Sequence, residues 1–150
     1  MKKLFLFVLF GLRACQEPLC EKQPDQTAGL VVNVLGQGYS AYDQTVGDLG
    51  RFGLKISTVE RYRQVFALCC ESRLDSIDFA KFDVLGLSTV NRGSSSSYVR
   101  DVKRDDATKT ITYTVTERYC QRASPVYGQG NFVVVPKLPT DYRIEYVRNQ

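Results

Sequence analysis

The 150-residue chain contains no histidine. Histidine is the usual general base near neutral pH and the commonest ligand of catalytic zinc. Its absence excludes Ser-His-Asp and Cys-His catalysis and most catalytic zinc sites. The sequence therefore predicts no catalytic residue, no metal site and no cofactor, and we expect the protein not to be an enzyme.

The chain also lacks tryptophan and has little net charge outside its first residues. Without tryptophan no broad indole platform for sugars exists, although nine tyrosines could replace it in part. Lys2, Lys3 and Arg13 account for most of the formal charge of +4, and without them 17 basic residues face 16 acidic ones. No nucleic-acid partner is predicted from so small a net charge.

The one long hydrophobic run lies at the N-terminus. Residues 4–12 follow two lysines, are apolar apart from Gly11, and are too few to span a bilayer. The sequence Leu-Arg-Ala-Cys over 12–15 resembles a bacterial lipoprotein box, which implies cleavage after residue 14 and a fatty-acid (palmitate) anchor on the Cys15 thiol. We expect a lipid-anchored protein of the cell envelope, periplasmic or surface-exposed on a bacterial membrane.

The rest of the chain divides into two parts. Residues 15–28 are polar, contain two prolines and show no apolar periodicity, which predicts a flexible tether. Residues 29–150 are predicted to form a single domain, large enough to bury a core.

This domain is predicted to be α+β, with one helix packed on a mainly antiparallel sheet. The helix is expected over 58–70, with Ser57 as N-cap and Glu60 completing a capping box. Strands are predicted at 29–35, 84–87, 98–104, 110–116, 132–135 and 142–147, and a Gly/Ser loop at 92–97. The serines of that loop lack an evident base, although Lys103 or Lys109 stays open as one.

Four cysteines remain once Cys15 carries lipid, namely Cys20, Cys69, Cys70 and Cys120. An even number outside the cytoplasm predicts disulfides, with three possible connectivities. A bridge from Cys69 or Cys70 to Cys120 is favoured, since closing a loop of about fifty residues would add roughly 4 kcal/mol. The alternative is a Cys69–Cys70 bridge, which closes a strained, easily reduced ring and could act as a redox switch.

The segments 77–86 (IDFAKFDVLG) and 131–139 (NFVVVPKLP) resemble an "IDFxKxxLLG … VPKLP" frame of uncharacterised lipoproteins of Bacteroidota. The frame covers about residues 77–147. A fainter similarity is to the C-terminal domain of protease-complex-stabilising lipoproteins, which share the DFxK element. The first family has no assigned activity, so the resemblance implies location and fold only.

The function predicted from these observations is that of a non-enzymatic, lipid-anchored envelope protein that binds or scaffolds another envelope protein. Its contact surface is predicted to be an exposed sheet edge or a patch of five tyrosines: Tyr98, Tyr113, Tyr119, Tyr142 and Tyr146. One alternative is a thiol redox sensor or enzyme that uses Cys69 and Cys70. Another is a lipoprotein that binds a glycan or another small ligand.

Overall fold

A computed structural model describes residues 21–36, 38–70 and 73–149. The predicted signal peptide over 1–14, the predicted lipid-attachment residue Cys15 and Cys20 lie outside the described residues. At residues 94 and 121–127 only the backbone is described.

The described residues form ten strands and two short helices. In chain order these are β1 (Gln26–Gly29), β2 (Asn33–Val34), β3 (Tyr42–Asp43), β4 (Gly47–Asp48), β5 (Leu54–Ile56), α1 (Val59–Val65), α2 (Ala67–Cys70), β6 (Phe82–Ser94), β7 (Ser97–Asp105), β8 (Thr110–Arg118), β9 (Gln121–Pro136) and β10 (Arg143–Asn149).

Two four-stranded sheets carry the fold. We call the first the outer sheet, with strand order β1-β7-β8-β10, and the second the central sheet, with order β2-β9-β6-β5. The outer sheet is parallel at both edges, where β1 pairs with β7 and β10 with β8. All pairs of the central sheet are antiparallel. Strands β3 and β4 form a separate small hairpin.

Strands β6 and β9 of the central sheet are buried on both faces. Leu85 and Val133 pack with Val102, Ile111 and other side chains of the outer sheet. Their neighbours Val84, Phe132 and Val134 point to the opposite face and pack with α1 and the segment over 35–41. Successive side chains of a strand alternate between faces, so a strand covered on both sides needs a continuous apolar run.

The prediction of an α+β fold is wrong. Most of the described residues that form regular structure are in strands and the two helices are short, so this part of the protein is mainly β, with two sheets packed face to face and short helices on one side. The apolar runs at 84–87 and 132–135 are only parts of strands of 13 and 16 residues. Their polar continuations pair with each other and form no separate loop, which the hydrophobic pattern did not indicate.

The predicted helix over 58–70 is present in shortened form. Thr58, rather than Ser57, caps α1, and its hydroxyl accepts a bond from the backbone N–H of Arg61. The helix ends at Val65, and α2 follows after Phe66. The hairpin of β7 and β8 confirms the strands predicted at 98–104 and 110–116, whereas the predicted strand at 29–35 is replaced by β1 and β2.

The last residues of the predicted tether belong to the folded body. Residues 26–29 form β1 and pair with β7. Just before them, a carboxylate oxygen of Asp25 lies 2.8 Å from the guanidinium of the buried Arg100, and the other accepts a bond from the Tyr98 amide. The ion pair and the strand pairing hold this stretch against the outer sheet.

A buried carboxylate fastens the chain after β9. Asp83 is fully buried, and its two oxygens lie 2.8 Å from Lys137 Nζ and 3.0 Å from the Leu138 amide. Lys55 lies 3.4 Å away. Burial works to raise the pKa of Asp83, but the bonds from Lys137, Leu138 and Ser57 and the charge of Lys55 outweigh it, so the pKa is held below its usual range.

We predict that Asp83→Asn removes part of the acid sensitivity of the fold. A carboxylate whose pKa is lower when folded stabilises the protein above its unfolded pKa of about 3.9, and this stability is lost as pH falls. Urea titrations of wild type between neutral pH and about pH 2 should show this loss, and those of the variant a smaller one.

At neutral pH the variant should lose about 2 kcal/mol of unfolding free energy, as expected for hydrogen bonds to a charged group. The control is Asp78→Asn, since Asp78 is half exposed and pairs with Lys81 on the surface. Equal pH profiles for wild type and Asp83→Asn would contradict the assignment.

Candidate functional site

The candidate site is a disulfide between the adjacent residues Cys69 and Cys70. The pair lies at the end of α2, where Cys69 is exposed and Cys70 is half buried. The bridge predicted from Cys69 or Cys70 to Cys120 is therefore wrong. Cys120 is itself disulfide-bonded, but not to this pair. The sequence argument favoured the long connection because a longer loop gives more stabilisation. Loop length contains no information on which cysteines the fold brings together.

A core residue holds α2 in place. Phe66, fully buried between the two helices, packs edge-on against Phe132 of the central sheet, with ring centroids 4.9 Å apart. Its ring also meets Tyr39 edge-on at 4.9 Å. The Cys70 amide donates to the Phe66 carbonyl, so the cysteines are positioned from a residue that the core fixes.

Glycines make room for the ring that supports Phe66. The ring of Phe132 lies over Gly86 of the neighbouring strand and over Gly130 of its own strand. A Cβ at either glycine would approach the ring to 2.6 and 2.5 Å, respectively. These glycines therefore let one aromatic ring connect the central sheet to the helices.

Three backbone groups lie against the sulfur atoms. The Ser40 amide donates to Cys69 Sγ at 3.4 Å. The Phe66 carbonyl oxygen lies 3.5 Å from Cys69 Sγ, and the Gly38 carbonyl oxygen lies 3.4 Å from Cys70 Sγ. The segment over 38–40 thus contacts both sulfurs.

Tyr39, in the middle of that segment, points into the core and is 8% exposed. Its hydroxyl oxygen accepts bonds from the Asp75 amide at 2.7 Å and from the Tyr62 hydroxyl at 3.1 Å. Burial, together with the contact to Tyr39, raises the pKa of Tyr62 well above its usual range. Neutral hydroxyl groups therefore tie the segment to α1.

A small polar cavity of about 180 Å³ adjoins the segment. Ser40, Ala41 and Tyr42 line one side, and Asp48 and Ser88 line another. Ser88 donates to the Asp48 carboxylate at 2.8 Å. The cavity is smaller than the roughly 300–1,000 Å³ of a typical pocket for a drug-sized ligand.

The predicted tyrosine patch does not form as one surface. Tyr98 and Tyr113 are 5% and 0% exposed and lie between the two sheets. Burial and the nearby carboxylate of Glu117 raise the pKa of Tyr98 to about 12. The period-two pattern of β7 and β8 left open which face is buried, and these tyrosines occupy the buried one.

The three remaining tyrosines are half buried and have separate surroundings. Tyr146 packs edge-on against Tyr113 at 6.3 Å. Tyr142 lies under the guanidinium of Arg104 at 4.8 Å. Tyr119 lines a larger cavity of about 400 Å³ at the end of β8. None of these contacts assembles a shared binding surface.

A buried polar network between the sheets was not predicted. Arg100, 3% exposed, donates to the Asn131 side chain at 3.0 Å, and Asn131 donates to the Thr89 hydroxyl at 3.0 Å. Along β7, Arg100 lies two residues after Tyr98 and two before Val102, so it shares the buried face with them. This period-two spacing was the sequence signal that Arg100 is buried.

The serines predicted as a loop span the end of β6, the two-residue turn that follows it and the start of β7. The Ser96 hydroxyl lies 2.7 Å from Glu117 Oε1 and 2.8 Å from Asn91 Oδ1. Lys103 and Lys109 pair with Asp101 and Asp141 instead. Both lysines, considered above as bases for a serine, have carboxylates as their neighbours.

Within the described residues, no group of three or more Cys, Asp or Glu side chains is arranged to hold a metal ion. Neither of the two helices in this part of the chain has the length and apolar character needed to cross a membrane. The chain matches no family model, no curated protein and no solved structure. The resemblance to lipoproteins of Bacteroidota therefore stays a prediction.

We predict that Phe66→Ala lowers the unfolding free energy by about 3–5 kcal/mol, since it leaves a cavity between Phe132 and Tyr39. Urea unfolding followed by circular dichroism measures the loss. The control is Leu68→Ala in α2, where the side chain is 57% exposed. That change should stay within about 0.5 kcal/mol. Similar losses for both variants would show that Phe66 does not anchor the helices.

Proposed function

We propose that this chain is a non-enzymatic, lipid-anchored protein of the cell envelope that acts by contact with another envelope protein. We further propose that it senses the thiol redox state through Cys69 and Cys70. The observation that carries the proposal is the Cys69–Cys70 bridge at the exposed end of α2. Of the functions considered from the sequence, it favours the thiol redox sensor.

A bridge between neighbours contributes little to fold stability. In the chain-entropy model, stabilisation grows with the length of the loop that a disulfide closes, and here the loop is two adjacent residues. Their Cα atoms are 3.7 Å apart, the ordinary spacing of consecutive residues, so the bridge joins no distant parts of the fold. The protein can therefore lose this bond without unfolding.

The surroundings of the sulfurs suit both redox states. Disulfide sulfurs carry no hydrogen, so the Phe66 and Gly38 carbonyls receive no bond from the bridge. After reduction each thiol has a carbonyl acceptor within 3.5 Å, Phe66 for Cys69 and Gly38 for Cys70. These acceptors support a reversible cysteine pair.

The reaction needs a reductant, which we propose to be a dithiol. Its thiolate attacks one sulfur of the bridge, forms a mixed disulfide and releases the other cysteine as a thiolate. The second thiol of the reductant then displaces the remaining cysteine. In total, two electrons and two protons pass to Cys69 and Cys70, and the reductant becomes a disulfide.

Membrane attachment is supported by the leader pattern. Asp25, which Arg100 holds, is the tenth residue after Cys15. A fully extended chain of that length spans at most about 35 Å. If Cys15 carries lipid, the folded body therefore lies close to the membrane surface.

We predict that cells given labelled palmitate attach it to wild type and not to Cys15→Ser, because only the Cys15 thiol can accept the diacylglycerol. The matched control is Cys20→Ser, five residues further on, which should keep its label. Gel autoradiography of the full-length protein measures this. Label retained in Cys15→Ser would overturn the lipid anchor.

We predict that a dithiol buffer reduces Cys69–Cys70 reversibly while the protein stays folded. Differential alkylation of the detergent-solubilised full chain, followed by mass spectrometry of the tryptic peptide over 64–73, measures the oxidised fraction. The Cys69→Ser/Cys70→Ser variant should keep its unfolding free energy within about 1 kcal/mol of wild type, because the lost loop is minimal.

Two results would contradict the sensor. One is a pair that stays oxidised until the protein unfolds. The other is a loss of about 4 kcal/mol in the double serine variant, the value expected of a long-loop disulfide.

A further inference from the structure

The segment over 38–42 lies between the cysteine pair and the polar cavity. Its first part contacts the sulfurs, through the Gly38 carbonyl and the Ser40 amide. Its last part, Ser40 to Tyr42, forms one side of the cavity. A change at the sulfurs therefore reaches the cavity through three residues of backbone.

Tyr39 gives the segment a fixed point. Its ring packs against Phe66, and its hydroxyl accepts bonds from Asp75 and Tyr62. Gly38 and Ser40, on either side of this point, are the residues that contact the sulfurs. Backbone movement at Gly38 or Ser40 can occur without moving Tyr39 out of the core.

Reduction changes the hydrogen bonds on both sides of Tyr39. The closed ring fixes Cys69 Sγ as the acceptor of the Ser40 amide. Once the ring opens, each cysteine rotates about its own Cα–Cβ bond, so Cys69 Sγ is no longer fixed 3.4 Å from the Ser40 amide. Ser40 then loses a fixed acceptor, whereas Gly38 gains a thiol donor.

Tyr42, the last residue of the segment over 38–42, has an exposed side chain next to the cavity. Tyr42 is 53% exposed and begins the β3–β4 hairpin. A direct backbone bond from Leu49 to Ala41 connects the segment to the far side of that hairpin. Movement of residues 40–42 would therefore change what the protein presents at this surface.

We infer that reduction of Cys69–Cys70 releases the Ser40 amide and makes residues 40–42 more mobile, so that Tyr42 becomes more exposed. This inference rests on the proposed redox function, and it says how the cysteine pair changes the surface around Tyr42. The oxidised protein holds Tyr42 against the cavity, and the dithiol form releases it.

The absence of tryptophan allows a direct test. Tyr42→Trp gives the full chain a single tryptophan at a position with room for it, and its emission is recorded in oxidised and dithiol-reduced protein. We expect a red shift and easier acrylamide quenching on reduction. Amide hydrogen exchange at Ser40 should become about fivefold faster, the factor that corresponds to one lost hydrogen bond.

Two matched controls isolate the cysteine pair. Val147→Trp places the reporter on β10 of the outer sheet, where emission should not change. Tyr42→Trp in the Cys69→Ser/Cys70→Ser background should show the reduced-like emission at all times and no response to dithiol. A response in that background would come from the disulfide of Cys120 and would contradict the inference.

The outcomes separate the inference from the proposed function. If alkylation shows reversible reduction but the emission of Tyr42→Trp and the exchange at Ser40 stay unchanged, the coupling is wrong and the sensor stands. If the pair cannot be reduced in the folded protein, the proposed function fails and the coupling fails with it. Equal changes at positions 42 and 147 would indicate general loosening and overturn the coupling.

Discussion

Burial of β6 and β9 on both faces is the constraint on which the rest of the structure depends. The outer sheet covers one face, and α1 with the segment over 35–41 covers the other. Phe132 links these layers, because its ring reaches from the central sheet to Phe66 between the helices. The position of α2, and with it the cysteine pair, is thus a consequence of sheet packing. The helices themselves are too short to be stable alone.

The two buried charges, Arg100 and Asp83, have a different role from the apolar core. Each pairs with a more exposed partner next to the end of a strand, Arg100 with Asp25 and Asp83 with Lys137. Because desolvation offsets much of the attraction in a buried pair, such pairs contribute more to placing chain segments than to total stability. The pairs hold residue 25 and the residues after β9 against the sheets.

The cysteine pair lies at the edge of this arrangement. Phe66 and Tyr39 connect it to the core, and the sulfurs lie against backbone groups of residues 38, 40 and 66. Parts of a protein that open and close with function are usually among its less stable parts. A chemical change at α2 can therefore alter the segment over 38–42 while the sheets remain intact.

The sequence by itself determined the buried stripe of Tyr62, Val65 and Phe66, the β7–β8 hairpin and the apolar runs of β6 and β9, because these depend on local periodicity. Only the tertiary structure decided that the strands extend through polar residues into two packed sheets, that Arg100 and Tyr113 face inward, and that Cys69 bonds to Cys70. Those features depend on which distant segments meet, and local periodicity carries no information about that. The proposed lipid anchor at Cys15 rests on the sequence alone, because a leader is recognised from its local pattern of charge and hydrophobicity.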